Sequence, residues 1–185
     1  MIRVGVLGPV LLAVAVLAGG CSAGPHGAER AVFTVATGFR EGSRATTVDI
    51  VDIGVPFLHN SSGQRVRILG VGLASVPASV RLLSVTAHPA TDGRIGIGHG
   101  DMVKLCRKEF PPYPVTDAVT APHANSNWYV LLAVRFTRPG RFYLGRVKIY
   151  YTVGGQRGWQ YQNLFATIIV TAARPGTKPW FDGCP

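Results

Sequence analysis

Apolar side chains at every second position in the C-terminal half favour β structure for this chain. Apolar residues take every second position from Trp128 to Phe136 and again from Gly145 to Val153, and Trp159 to Ala172 forms a third β-rich run. Neighbouring side chains on a strand point to opposite faces, so each run predicts one buried face. The pair Gly154-Gly155 predicts a tight hairpin turn. We expect an antiparallel meander whose buried faces carry Val130, Leu132, Val134, Val147, Ile149 and Tyr151.

The N-terminal half contains shorter β-rich runs separated by turn residues. Strands are expected at 31–37, 46–53, 66–73 and 80–87, and Asn60-Ser61-Ser62-Gly63 indicates a turn. No run keeps the i, i+3, i+4, i+7 apolar spacing of a long helix. Short strands with regular turn signals predict an all-β, antiparallel sandwich domain over residues 31–173.

Residues 88–127 interrupt this rhythm. They hold five of the 13 prolines together with clustered glycines. Loops of this length are uncommon in compact domains and are often functional. We expect a Pro/Gly-rich insertion that carries one or two short strands.

The first twenty residues predict a signal peptide. Arg3 is the only charge before an apolar run from Val4 to Ala18. That run is short for a spanning helix, which needs about 20 apolar residues, and it contains Pro9. Residues 1–20 are therefore expected to direct export rather than to join the fold.

The junction Leu17-Ala18-Gly19-Gly20-Cys21 resembles the lipobox of bacterial lipoproteins, although Leu17 lies one position earlier than in the commonest pattern. The resemblance implies that Cys21 is lipidated and becomes the first mature residue. Residues 21–30 would then form a flexible tether. The implied location is the extracytoplasmic face of the cell membrane. Ordinary type I cleavage after Gly20 or Ala23 also fits the small residues.

The segment Pro139-Gly140-Arg141-Phe142-Tyr143, followed by alternating Val147, Ile149 and Tyr151, resembles the penultimate strand of immunoglobulin-like domains. The resemblance implies an immunoglobulin-like sandwich in which Tyr143 is the tyrosine corner. The Cys…Trp…Cys spacing of antibody domains is absent, so the chain would be an outlying relative. A cupredoxin-like sandwich is the alternative.

Two cysteines remain once Cys21 is lipidated. Cys184 lies in the tail 174–185 beside Trp180 and Phe181, and exported chains keep their disulfides. We therefore expect a Cys106–Cys184 bond that ties the tail back to the domain. The alternative is a copper or zinc site in the 88–127 segment, and its candidate ligands are His88, His99, Cys106 and His123. Their spacing matches no zinc pattern.

Basic residues outnumber acidic ones, with 19 Lys and Arg against 9 Asp and Glu. This excess favours anionic partners such as lipid headgroups or wall polymers. No run of five Lys or Arg occurs, so no nucleic-acid arm is expected. Two interpretations of the basic residues stay open: a general solvated surface, or one cationic face. The candidates for such a face are Arg65, Arg67, Arg135, Arg146 and Lys148.

Catalytic signatures do not emerge from the sequence. There is no Gly-x-Ser-x-Gly motif, and Gly96-Ile97-Gly98-His99-Gly100 misses the dinucleotide-binding spacing. We expect a non-catalytic binding or accessory module of the cell envelope that uses no cofactor. Its anchor would contact the membrane. The candidate further partners are an anionic lipid, a wall polymer and an envelope protein. The alternative function is a metal-binding envelope protein.

The cysteine interpretation predicts no free thiol in the mature, lipidated chain. Thiol titration of the denatured, non-reduced protein should find none, and the reduced protein should show two. A Cys106→Ser variant should instead expose one free thiol, that of Cys184. Two free thiols in the unreduced chain would contradict the disulfide and favour the metal site.

Overall fold

The computed structural model describes residues 27–36, 41–55, 58–89 and 112–177. These residues form ten strands and, apart from one 3-10 turn at Val115–Asp117, no helix. No described helix is long and apolar enough to cross a membrane. The strands are β1 (Ala28–Glu29), β2 (Glu41–Thr46), β3 (Ile50–Val55), β4 (Val66–Leu73), β5 (Val80–Pro89), β6 (Tyr113–Pro114), β7 (Val119–Thr120), β8 (Trp128–Phe136), β9 (Gly140–Val153) and β10 (Gln156–Thr171).

Two sheets make up the sandwich. The large sheet has the order β10-β9-β4-β7, and both β1 and β2 pair with β10 on its other side. The small sheet has the order β3-β8-β5-β6. The pairings are antiparallel except for those of β1 and β2, which run parallel to β10. The expected all-β, largely antiparallel sandwich is confirmed.

The β9–β10 hairpin is the longest ladder of the large sheet. Its two-residue loop, Gly154-Gly155, has φ values of 55° and 75°. A type I′ turn requires positive φ at both of its central residues. Glycine reaches these angles without steric cost. The loop therefore pairs Val153 with Gln156 and sets the register between the two strands.

The core lies between the two sheets and contains the faces that the alternation predicted. The side chains of Val130, Leu132 and Val134 are buried, as are those of Val147, Ile149 and Tyr151. Gly158 permits the close packing of Tyr151, because a Cβ atom there would lie 2.9 Å from the tyrosine ring. The inward face of β10 continues with Gln160, Gln162, Leu164, Ala166, Ile168 and Val170.

Side-chain amides of β10 hold the N-terminal segment inside the sandwich. The Gln160 Oε1 atom accepts hydrogen bonds from the backbone N–H groups of Val32 and Phe33, at 2.7 and 2.8 Å. Its Nε2 atom donates to the Phe33 carbonyl at 2.9 Å. Farther along, Gln162 and Asn163 donate to the carbonyls of Thr34 and Ala36. Residues 32–36 are therefore bound by side chains of β10 and, at Phe33, by one backbone bridge to Asn60.

Asn60 organises the expected turn at residues 60–63. Its buried side chain accepts hydrogen bonds from the backbone N–H and the hydroxyl of Ser62 and donates to the carbonyls of Gln64 and Ala121. The bond to Ala121 attaches the turn to the segment between β7 and β8.

Some predicted strands differ in the structure. The run at 31–37 contributes one isolated bridge, Phe33 to Asn60, rather than a strand. The run at 46–53 is split between β2 and β3, because the Asp49 carboxylate accepts hydrogen bonds from the backbone and hydroxyl of Thr46 and closes a turn. The predicted meander is wrong in one respect: β8 pairs with β3 and β5 of the small sheet, not with β9.

The last residues of the predicted tether 21–30, from Ala28 onward, belong to the domain. Ala28 and Glu29 form β1, and the Arg30 N–H donates to the Trp159 carbonyl, so the chain is bound to β10 from Ala28 onward. The predicted insertion follows β5 and ends before β8, and its described part holds β6, the 3-10 turn and β7. Residues 1–26, 90–111 and 178–185 lie outside the described residues.

Tyr143 is not a corner tyrosine. Its side chain is 61% exposed on the outer face of β9, where the prediction required a packed position. The buried tyrosine of this strand is Tyr151, whose hydroxyl donates to the Arg30 carbonyl and whose ring packs edge-to-face on Phe33.

The amide bonds of β10 predict a large cost for Gln160→Ala. The variant would leave the buried N–H groups of Val32 and Phe33 without acceptors, and each unsatisfied group costs about 1–3 kcal/mol. We expect the free energy of unfolding to fall by about 2–5 kcal/mol in urea titrations. The exposed Gln156→Ala is the matched control and should change stability by less than about 0.5 kcal/mol. Equal effects of the two variants would refute the role of Gln160.

Candidate functional site

The outer face of the large sheet carries aromatic and cationic side chains in register. Tyr150 of β9 lies opposite Trp159 of β10, Lys148 lies opposite Tyr161, and Arg146 lies opposite Asn163. These positions alternate with the buried residues of the same strands, so all of them point away from the core.

The cations of this face lie over the aromatic rings. The Lys148 ammonium is 3.7 Å from the centre of the Trp159 ring and 5.3 Å from that of Tyr150. The Arg146 guanidinium carbon is 4.7 Å from the Tyr161 ring centre. The Trp159 and Tyr161 rings meet edge-to-face at 5.4 Å. We call these residues the cation–aromatic patch: Arg146, Lys148, Tyr150, Trp159 and Tyr161.

Gly70 and Gly72 of β4 leave a strip of the outer face beside the patch without side chains, which we call the glycine shelf. Gly70 pairs with Tyr150, and Gly72 pairs with Lys148. A Cβ atom at Gly72 would meet no heavy atom within 4 Å, so the space above this strand is open. The patch therefore borders a flat strip of backbone that a large, flat partner could approach closely.

The five basic residues singled out in the sequence do not share one surface. Arg67 is on the same outer face as Arg146 and Lys148, and it donates to the Thr116 carbonyl at 3.2 Å. Arg65 is exposed just before β4. Arg135 lies on the other sheet, where it pairs with Arg81, so its inclusion in a single cationic face is wrong.

Sequence analysis did not single out the three aromatic members of the patch. Tyr150, Trp159 and Tyr161 were considered only as members of β runs, yet the two-residue loop fixes their pairing with Lys148. Extending the hairpin register outward from Gly154-Gly155 would have placed the rings beside the cations.

The described residues provide only part of the alternative metal set. The His88 Nε2 atom lies 2.9 Å from the Thr86 hydroxyl on β5, and the His123 backbone donates to the Ser62 carbonyl in a turn. His99 and Cys106 lie outside the described residues. Within the described ranges there is no group of three or more His, Cys, Asp or Glu that could hold a metal ion.

The lipidation and disulfide residues, Cys21, Cys106 and Cys184, also lie outside the described residues. Their assignments stay predictions.

Two buried tyrosines have altered acidity, and both lie away from the patch. Burial raises the pKa of Tyr151 on the core face of β9, although the charge of Arg30 opposes the rise. Burial also raises the pKa of Tyr129 on β8 of the small sheet. Both phenols therefore favour the neutral form, which suits packing rather than acid–base chemistry.

No family model and no curated protein matches this chain. Among solved structures, the chain is similar to the Vibrio cholerae VesB protease, with 11% sequence identity and a TM-score of 0.34. The similarity covers 70% of this chain, which spans 30% of the length of the protease chain. At this TM-score the similarity supports no conclusion about activity.

The cation–ring geometry predicts a measurable coupling between Lys148 and Trp159. A double-mutant cycle of Lys148→Gln and Trp159→Leu should give an interaction free energy of about 0.5–1 kcal/mol in urea unfolding. The control cycle combines Arg135→Gln with Trp159→Leu and should give a value near zero, because Arg135 is on the other sheet. A Lys148 coupling no larger than the control would contradict the contact.

Proposed function

We propose that this chain is a lipid-anchored, extracytoplasmic binding module of the cell envelope that performs no catalysis. The observation that carries the proposal is the cation–aromatic patch with its glycine shelf on the large sheet. Ordered cations on a rigid sheet with open space beside them are suited to recognition of an anionic surface.

The placement of Lys148 and Arg146 supports binding of an anion. Each cation rests on an aromatic ring, which restricts its motion before any partner arrives. Less side-chain entropy is then lost on binding, so the same contacts give a higher affinity. The strands beneath are buried on their inner face and hold the patch rigid.

The strand order supports the immunoglobulin-like part of the proposal. In such domains strands B, E and D share one sheet, and strands C, F and G share the other. Assigning β3, β4 and β5 as B, C and D, and β8, β9 and β10 as E, F and G, reproduces both sheets. The segment with β6 and β7 is then an insertion between D and E.

The lipoprotein part rests on the junction before Cys21. Residues 22–27 separate Cys21 from β1, so a lipid on Cys21 would hold the domain close to the bilayer. Two acyl chains give stable anchoring, because each buried CH₂ contributes about 0.8 kcal/mol.

Cys21→Ser tests the anchor. Without a thiol to acylate, the protein should leave the membrane fraction and appear in soluble or uncleaved form. Ala23→Ser, which adds the same hydroxyl within the tether, should remain membrane-bound and is the control. Mass spectrometry of the wild-type chain should find a diacylglyceryl group on an N-terminal Cys21. A processed Cys21→Ser protein that still fractionates with the membrane would refute the assignment.

A further inference from the structure

We propose that the cation–aromatic patch docks onto the anionic headgroups of the membrane that holds the lipid anchor, so that the large sheet faces the bilayer. This inference rests on the proposed function, because it needs the chain to be outside the cell and close to a membrane. It adds the identity of the partner, anionic phospholipid, and the orientation of the domain.

The point at which the chain enters the domain lies next to the patch. Strand β1 runs parallel to β10 and places Ala28 opposite Gly158 and Glu29 opposite Trp159. Gly27, just before it, lies against the backbone of Arg157, where a Cβ atom would come within 2.1 Å of the carbonyl oxygen. Any chain that precedes Gly27 therefore leaves the domain at the hairpin end of β10, beside Trp159.

The distance from Cys21 to the domain is short. Residues 22–27 can span at most about 20 Å even when fully extended. The patch extends along β9 from Tyr150 to Arg146, which is about 14 Å at the rise of a strand. A lipid on Cys21 consequently keeps the patch within reach of the bilayer surface, and a modest tilt of the domain brings the two into contact.

The chemistry of the face matches that of an anionic interface. The Lys148 and Arg146 cations lie over the faces of the rings, and Arg67 adds a charge on the same face of the sheet. Cations near a surface of anionic lipid are attracted to it, and Trp and Tyr rings favour the headgroup level. Farther along this face, Tyr143 and Ile169 are 61% and 40% exposed.

Other occupants fit less well. The Lys148 ammonium lies 3.7 Å from the centre of the Trp159 ring, so one face of this ring is already occupied and is closed to a stacking sugar. The outer face of the small sheet also carries exposed cations, Arg81 and Arg135. Charge alone therefore does not select a face, whereas the entry point of the chain and the aromatic rings select the large sheet.

Vesicle binding by the unlipidated chain tests the docking. Residues 21–185 with Cys21→Ser, which include every described residue, would be sedimented with phosphatidylglycerol or phosphatidylcholine vesicles at about 0.1 M salt. We expect binding to the anionic vesicles only. Arg146→Gln with Lys148→Gln should weaken it about 25-fold, because each cation at the surface contributes roughly a factor of five.

Two further variants separate the face from the net charge. Arg81→Gln with Arg135→Gln also removes two positive charges, but from the small sheet. It should change the affinity less than about twofold, because those cations would face away from the bilayer. Gly72→Leu adds bulk to the open shelf at a position without steric conflict. It should leave the unfolding midpoint near that of the parent chain and strengthen vesicle binding about fivefold, because an apolar side chain that faces the bilayer is removed from water on docking.

Three results would overturn the docking. They are no binding to phosphatidylglycerol vesicles, equal losses in the two double variants, and retention by isolated anionic wall polymer without binding to vesicles. The last result would leave the binding-module proposal standing with a different partner. Failure of the anchor is judged separately by Cys21→Ser fractionation in cells, because the chain used with vesicles carries no lipid.

Discussion

The hydrogen bonds from Gln160 to Val32 and Phe33 are the interaction on which the rest of the arrangement depends. Val32 and Phe33 are buried and make one backbone bridge, to Asn60, so their N–H groups and the Phe33 carbonyl need other partners. A primary amide can donate and accept at once, so one glutamine satisfies both kinds of group. With this segment in place, Phe33 packs on Tyr151, and the chain entering the domain is held along β10.

Strands β9 and β10 contribute one face to the core and carry the cation–aromatic patch on the other face. Even-numbered residues of β10 face the core and include Gln160, whereas Trp159 and Tyr161 face outward beside Lys148. Because neighbouring side chains alternate between faces, the packing that fixes Gln160 also fixes the direction of both rings. The patch is therefore rigid because its strands are held from the buried side, and the entry of the chain beside Trp159 gives the patch a position relative to the proposed lipid anchor.

Each agreement and each difference between the predicted and the observed elements has an identifiable cause. Strand β4 was expected at its observed bounds, and the Gly154-Gly155 hairpin follows from two residues that reach the required φ angles without steric cost. The run at 46–53 failed because the Asp49 carboxylate competes locally for the backbone of Thr46 and turns the chain. The tether was predicted too long because the pairing of Ala28 with Gly158 joins residues distant in sequence.

The sequence by itself determined which face of β8 and which face of β9 turns toward the core, since alternation is a local property of an extended backbone. It therefore identified the inward faces of β8 and β9 and the outward position of Arg146 and Lys148. Only the tertiary structure decided which sheet each strand joins, because strand pairing is set by packing between distant segments. That choice puts Arg135 on the opposite face and brings Tyr150, Trp159 and Tyr161 together under the cations.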